Sequence, residues 1–207
     1  MVLAPRDLQL LRFIAEREAV PALVLVAAFF LRHPLTGQTN RDPAHACRRR
    51  LAELERAGWI VRHGGAHHFV TLSSVGARRL QVEAGRAPAL KNAVHHAKTV
   101  EAVGRVLDAV GAAAGATVRM ENAIRQERIG GRFVKRGDDL DVLPDAELRL
   151  PTGERIAVEY VTSKYADEQI KKKALGLAHY DRVFFFADRA GTAQRVMRLT
   201  NRECPCI

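Results

Sequence analysis

The chain has 207 residues and is 47% apolar, which suits one large or two small globular domains with a buried core. Three cysteines, an odd count, do not build a disulfide framework, and the apolar run Ala19 to Leu31 is too short to span a bilayer. With no signal peptide in view, the expectation is a cytoplasmic protein with no membrane partner.

The net charge is +10, which points to a polyanionic partner. Residues 1–90 hold 13 basic residues, all arginine, against 7 acidic ones. The first half therefore carries the denser positive charge. A proteome that simply favours arginine would give the same excess without such a partner.

Pro5 to Arg17 places Leu8, Leu10, Leu11, Phe13 and Ile14 at helical spacing. Pro21 to Leu31 reads as a second, shorter helix, and His33 to Asn40 as a loop. Asp42 caps a third helix with Pro43 at its first position, and Gly58 ends it. Its exposed face carries His45, Arg48, Arg49 and Arg56, while Leu51 and Leu54 turn inward. Two short strands, Trp59 to His63 and Ala66 to Leu72, flank Gly64-Gly65 as a tight hairpin. Ser74 to Ala84 closes the unit as a helix bearing Arg78 and Arg79.

Three helices and a β-hairpin in this order are the parts of a winged helix-turn-helix. The third helix would enter the major groove of double-stranded DNA and the hairpin would rest on the backbone. The DNA-contact candidates are His45, Arg48, Arg49, Arg56, Arg62, His67, Arg78 and Arg79. The histidines at 45, 63, 67 and 68 suit solvent or phosphate contact better than a metal. The same fold used for protein contact is the bland alternative. Gly85 to Pro88 breaks the helical pattern, so the expected domains are 1–88 and 89–207.

In the second domain His96 to Ala114 is a long helix with Val100, Val103, Leu107 and Val110 on one face. Thr117 to Met120 is a strand with Glu121 at its end. Arg125 to Arg136, with Gly130-Gly131, reads as a mobile loop with a short strand at Phe133. Asp138-Asp139-Leu140-Asp141 precedes a hairpin of Leu143 to Leu150 and Ile156 to Val161, turning at Pro151 to Glu154. In such a hairpin Asp145 and Glu159 end side by side. Tyr165 to Tyr180 is a helix with Lys171, Lys172 and Lys173, Arg182 to Ala187 a buried strand, and Thr192 to Leu199 a final helix. The fold class is α+β, the second domain being a mixed sheet flanked by helices. Cys47 reads as an apolar filler. Cys204 and Cys206 lie on what reads as a frayed tail, since two sulfurs do not make a metal site.

The winged-helix pattern, His95-His96 at a helix start, Leu143-Pro144-Asp145 and Val158-Glu159 together resemble the replication-relaxation (plasmid mobilisation) family. Its members join a winged helix to a domain like the PD-(D/E)xK restriction endonucleases. The resemblance implies that Asp145 and Glu159 are the two catalytic acids and metal ligands; Glu121 is a candidate third metal ligand or, equally, a solvated glutamate at a strand end. Val161 stands where that motif has its lysine, so the nuclease-like domain reads as degenerate. Lys164, Lys171 or Lys172 are the expected substitutes, and Lys171 and Lys172 are also candidate phosphate contacts. Tyr165 is the tyrosine best placed for a covalent role, with nothing nearby to activate it.

These readings imply a double-stranded DNA-binding accessory or regulatory factor in plasmid mobilisation or replication, acting as a homodimer, with relaxase or other mobilisation proteins as partners. It would need no cofactor to bind DNA. The first alternative is a DNA nickase or relaxase using Asp145 and Glu159 with magnesium or manganese. The second is a transcriptional repressor.

Overall fold

A computed structural model of the protein describes residues 3–32, 38–64, 68–82, 92–111, 115–129 and 142–207. The chain is mixed α+β with two sheets and divides into two compact units, Met1–Ala97 and Lys98–Ile207. The division falls inside the helix Ala93–Ala109, whereas the expected boundary near residue 88 lies outside the described residues. No helix among the described residues is long and apolar enough to cross a membrane.

The first unit begins with α1, Pro5–Arg17, whose Leu10, Leu11 and Ile14 are fully buried. Asp7 accepts from the Ala4 amide at 2.7 Å and so satisfies one of the free N–H groups at the helix start. The same carboxylate accepts from Arg50 Nε at 2.8 Å. That contact ties α1 to α3, Pro43–Arg56. The segment expected as one helix from Pro21 is different. Ala19–Pro21 forms strand β1, and Ala22–Leu25 is a short helix, α2, that continues as a wider π-helical turn over Val26–Phe30. A three-residue strand shows no alternation long enough to read from sequence. Its position comes from pairing, with Val20 opposite Val70. Pro21 is tolerated there because β1 is an edge strand, where a missing N–H costs little.

Asp42 accepts from the His45 amide at 2.8 Å and starts α3, and Gly58 follows it at φ 75°, a backbone angle that favours glycine. Strands β2, Ile60–Arg62, and β3, Phe69–Leu72, pair antiparallel, giving the sheet order β1-β3-β2. The expected glycine turn runs into residues 65–67, outside the described set. Helix α4, Ser74–Leu80, is capped by Ser73 and stops at Gln81 rather than at Ala84. Gly76 lies so close to the chain at Trp59 that a Cβ there would be 2.1 Å from the Trp59 carbonyl oxygen.

The second unit's elements are α5 (Ala93–Ala109), β4 (Thr117–Met120), α6 (Glu121–Ile129), β5 (Ala146–Arg149), β6 (Arg155–Val161), α7 (Asp167–Gly176), β7 (Arg182–Ala187) and α8 (Ala190–Thr200). Of α5, only the part from Lys98 onward belongs to this unit. The sheet order is β4-β5-β6-β7, antiparallel up to β6 and parallel between β6 and β7. Helix α6 replaces the first part of the expected mobile loop. Its Ile124 is buried, and Glu121 pairs with Arg125 one turn on at 2.5 Å. Residues 130–136, with the expected strand at Phe133, and the acidic run 138–141 lie outside the described residues.

Alternate residues divide the sheet into two faces. Val118, Met120, Ala146, Leu148, Ile156, Val158 and Tyr160 are all buried. On the opposite face Val161 and Phe185 pack with Ile170 of α7 and with Ala193 and Val196 of α8. The C-terminus is not frayed. Ala187 donates to Pro205 at 3.0 Å and accepts from Ile207 at 3.1 Å, and Cys204 is buried in the same cluster. Burial pushes the Cys204 thiol up to about 12, and Cys206 adds to this, so it acts as an apolar filler.

Candidate functional site

The first unit presents one polar stripe on α3. His45, Arg48, Arg49 and Arg56 are exposed and recur at spacings of three, four and seven to eight residues. Cys47, Leu51 and Leu54 are buried on the other side of the same helix. The amphipathic pattern that anchors α3 therefore sets the arginines outward. Among the described residues no carboxylate is in salt-bridge range of Arg48, Arg49 or Arg56.

The remaining basic candidates differ in what holds them. Arg62 is exposed but bound to Glu55, with Nε donating at 2.7 Å and Nη2 at 2.6 Å from the carboxylate. Arg79 lies over the Trp59 ring, 4.9 Å from its centroid, and Arg78 Nε donates to the Ser74 carbonyl at 3.3 Å. His63 Nε2 is 2.9 Å from Thr71 Oγ1, so this histidine is engaged within the sheet. His67 lies outside the described residues. His96 is half-buried and its Nε2–H donates to the Ala19 carbonyl at 2.6 Å, fixing the start of α5 on β1. Burial pushes its pKa down, against the pull of that carbonyl.

In the second unit the hairpin brings two acids together. Ala146 is opposite Val158, so Asp145 and Glu159 form the next cross-strand pair on one face of the sheet. The Asp145 amide donates to Glu159 Oε2 at 3.3 Å, and the Asp145 carboxylate accepts from the Tyr160 amide at 2.8 Å. Asp145 is 6% exposed and Glu159 fully buried.

The amine beside these acids is Lys173 of α7, not one of the three lysines expected. Its Nζ lies 2.9 Å from Glu159 Oε1 and 3.0 Å from Oε2, and donates to the Leu143 carbonyl at 2.7 Å. Burial lowers the Lys173 pKa, but Glu159 and then Asp145 outweigh it, and the net direction is upward. The ammonium is therefore a fixed charge. Lys171 pairs with Glu168 at 3.1 Å on the exposed side of α7, and Lys172 and Lys164 are exposed. The signal for Lys173 was present in the sequence. Ile170, Lys173 and Leu177 share one helix face, and Ile170 and Leu177 are buried.

Glycine makes this approach possible. A Cβ on Gly176 would fall 1.6 Å from Val142 Cγ1. The chain leading into Leu143-Pro144-Asp145 thus passes against the end of α7, one turn from Lys173.

Glu121, the third expected acid, sits at the N-terminus of α6, half-exposed and bound to Arg125. Tyr165 is partly buried against the apolar cluster of Val161, Ile170 and Phe185. Burial first, then the charges of Asp145, Glu159 and Glu121, push its phenol well above the ordinary range. A phenol held so firmly protonated is not an activated nucleophile.

A third carboxylate on the same face is held by several side chains. Glu147 is 1% exposed and meets Arg149 Nε at 2.5 Å, Tyr180 OH at 2.9 Å, Arg155 Nη2 at 3.0 Å and Arg119 Nη1 at 3.3 Å. Burial opposes its charge, but the bonds from Arg155, Arg149 and Tyr180 prevail and hold it at about 2.

Among the described residues no three His, Cys, Asp or Glu side chains are placed to hold a metal ion. Both Glu159 oxygens face the Lys173 ammonium, and Asp145 is engaged by a backbone amide. Among the described residues, the cation beside the two acids is thus the Lys173 ammonium.

Comparison of the chain with family models, curated proteins and solved structures gives no match.

Proposed function

We propose that the protein is a double-stranded DNA-binding factor whose first unit is a winged helix-turn-helix. The observation that carries this reading is the α3 stripe of His45, Arg48, Arg49 and Arg56, exposed opposite a buried apolar side. The order α1-β1-α2-α3-β2-β3 supports it, with β1 as the third strand beside the hairpin. The second unit then keeps a restriction-endonuclease-like sheet in which Lys173 has become the counter-ion of Glu159. The sequence resemblance supports an accessory or regulatory role in plasmid mobilisation or replication, beside a relaxase. Two-fold DNA sites would call for a homodimer. A repressor would make the same DNA contacts and differ only in the site it occupies.

The test is selection of a duplex from a random pool, followed by gel-shift titration. Arg48→Ala and Arg49→Ala should each weaken binding by about 1–3 kcal/mol where they meet base edges. Unchanged affinity in both variants would refute the reading.

One observation favours a second reading, a nickase. Lys173 supplies an amine beside Asp145 and Glu159 although Val161 cannot. Nicking of supercoiled plasmid with magnesium or manganese, lost in Glu159→Ala, would establish it. Intact plasmid under those conditions would dismiss it.

A further inference from the structure

The first unit contains a cleft of about 580 Å³ between α2, α3 and the β2–β3 pair. That volume is in the range of sites for drug-sized molecules. Its apolar lining includes Leu23, Val26, Cys47, Leu51 and Val70. Burial pushes the Cys47 thiol up to about 11, so it adds no charge to that lining. Glu55 and Arg62 also border the cleft but neutralise one another at 2.6 Å. Arg48 lines it too, with no carboxylate in range among the described residues, and His63 and His68 stand near. Among the described residues the cleft thus offers an apolar body and one cation, Arg48, with no carboxylate in range.

We propose that this cleft binds a small amphipathic organic anion, with an apolar body on Leu23, Val26 and Leu51 and a carboxylate on Arg48. A neutral apolar ligand would leave the Arg48 guanidinium unused, and a bare inorganic anion would leave the apolar walls in water. Leu23, which is 79% exposed, gains cover from an occupant with an apolar body. The binding stands whether or not α3 meets DNA. Its consequence, that an occupied cleft withdraws Arg48 from DNA, rests on the reading above.

The experiment is calorimetric titration of the full chain with naphthalene-2-carboxylate, and separately with its neutral alcohol, 2-naphthylmethanol, in the absence of DNA. The carboxylate should bind saturably at one site with a Kd below about 1 mM. The alcohol should bind about tenfold more weakly, because it lacks the charge-assisted bonds to Arg48. Arg48→Gln should weaken the carboxylate by about tenfold, and Leu23→Glu, which sets a like charge at the mouth, by at least as much. Both positions are exposed, so both variants fold, and circular dichroism checks this. Arg12→Gln, on exposed α1 surface away from the cleft, should leave binding unchanged. Absence of saturable binding, or equal binding of the two probes in wild type and Arg48→Gln, overturns the proposal. Failure here leaves the DNA reading standing. Failure of the gel shift with carboxylate binding intact dismisses DNA and keeps the cleft.

Discussion

Lys173 of α7 places its amine 2.9 and 3.0 Å from the two oxygens of Glu159, at the middle of β6. The pair joins a helix to the sheet strand beneath it. Glu159 is fully buried, so loss of Lys173 removes the cation that faces both of its oxygens. Lys173→Met should destabilise the protein by about 3–5 kcal/mol in urea unfolding. Adding Glu159→Gln to that variant should restore a large part of the loss, since the buried negative charge that faced Lys173 is gone. A double variant whose loss equals the sum of the Lys173→Met and Glu159→Gln losses would show that the two groups are not coupled.

The same region depends on Gly176. A methyl group there would meet Val142 Cγ1 at 1.6 Å and Cβ at 2.6 Å. Gly176→Ala must therefore displace the chain entering Leu143-Pro144-Asp145, and overpacking of this kind costs about 1–3 kcal/mol. Val142→Ala removes the closer of the two clashes. The double variant should recover part of the lost stability in thermal melts. No recovery would place the strain elsewhere.

How far these features were legible depends on the range of the interactions behind them. Helices α1 and α3 carry their own boundaries in Pro5, Asp42, Pro43 and Gly58, and the structure begins and ends α3 at those signals. The Asp145–Glu159 pairing followed from a hairpin with a short turn, again a local property. Strand β1 did not, because three residues acquire their conformation only from β3. Helix α6 was obscured by the glycines beyond it, although Glu121 and Arg125 already had helical spacing. Lys173 differs from its neighbours Lys171 and Lys172 only in sharing a helix face with Ile170 and Leu177, and the partner of that face is set by the distant β6. The cleft between α2, α3 and the hairpin left no sequence pattern at all, being a gap between elements rather than a feature of one.

Glu147 sets an acid limit on stability. Its folded pKa of about 2 lies below the ordinary value of 4.5 because Arg155, Arg149 and Tyr180 hold the charged form against burial. A carboxylate with a depressed folded pKa contributes stability above its unfolded value and loses it as pH falls toward the folded value. The stabilisation should therefore be complete above about pH 5 and fall by on the order of 3 kcal/mol between pH 5 and 2. Glu147→Gln removes the charge and should flatten that part of the pH profile while lowering stability at neutral pH. An acid limb as steep as that of the wild type would assign it to other carboxylates.

The pairing of Arg62 with Glu55 gives the DNA reading a prediction opposite in sign to a loss of function. Arg62 is exposed, but two of its nitrogens are engaged by Glu55 at 2.7 and 2.6 Å. A phosphate approaching β2 has to compete with that carboxylate. Glu55→Gln keeps the size of the side chain and removes its charge, which frees the guanidinium. Each added phosphate contact steepens the dependence of log K on log salt by about 0.9. Glu55→Gln should thus bind duplex DNA more tightly at low salt, with a slope steeper by about one. Arg56→Ala, on the α3 stripe, should shift the slope the other way by a similar amount. Gel-shift titrations from about 50 to 200 mM salt resolve both changes. A Glu55→Gln slope equal to that of the wild type would mean that β2 stays clear of the DNA backbone, and that α3 alone carries the contact.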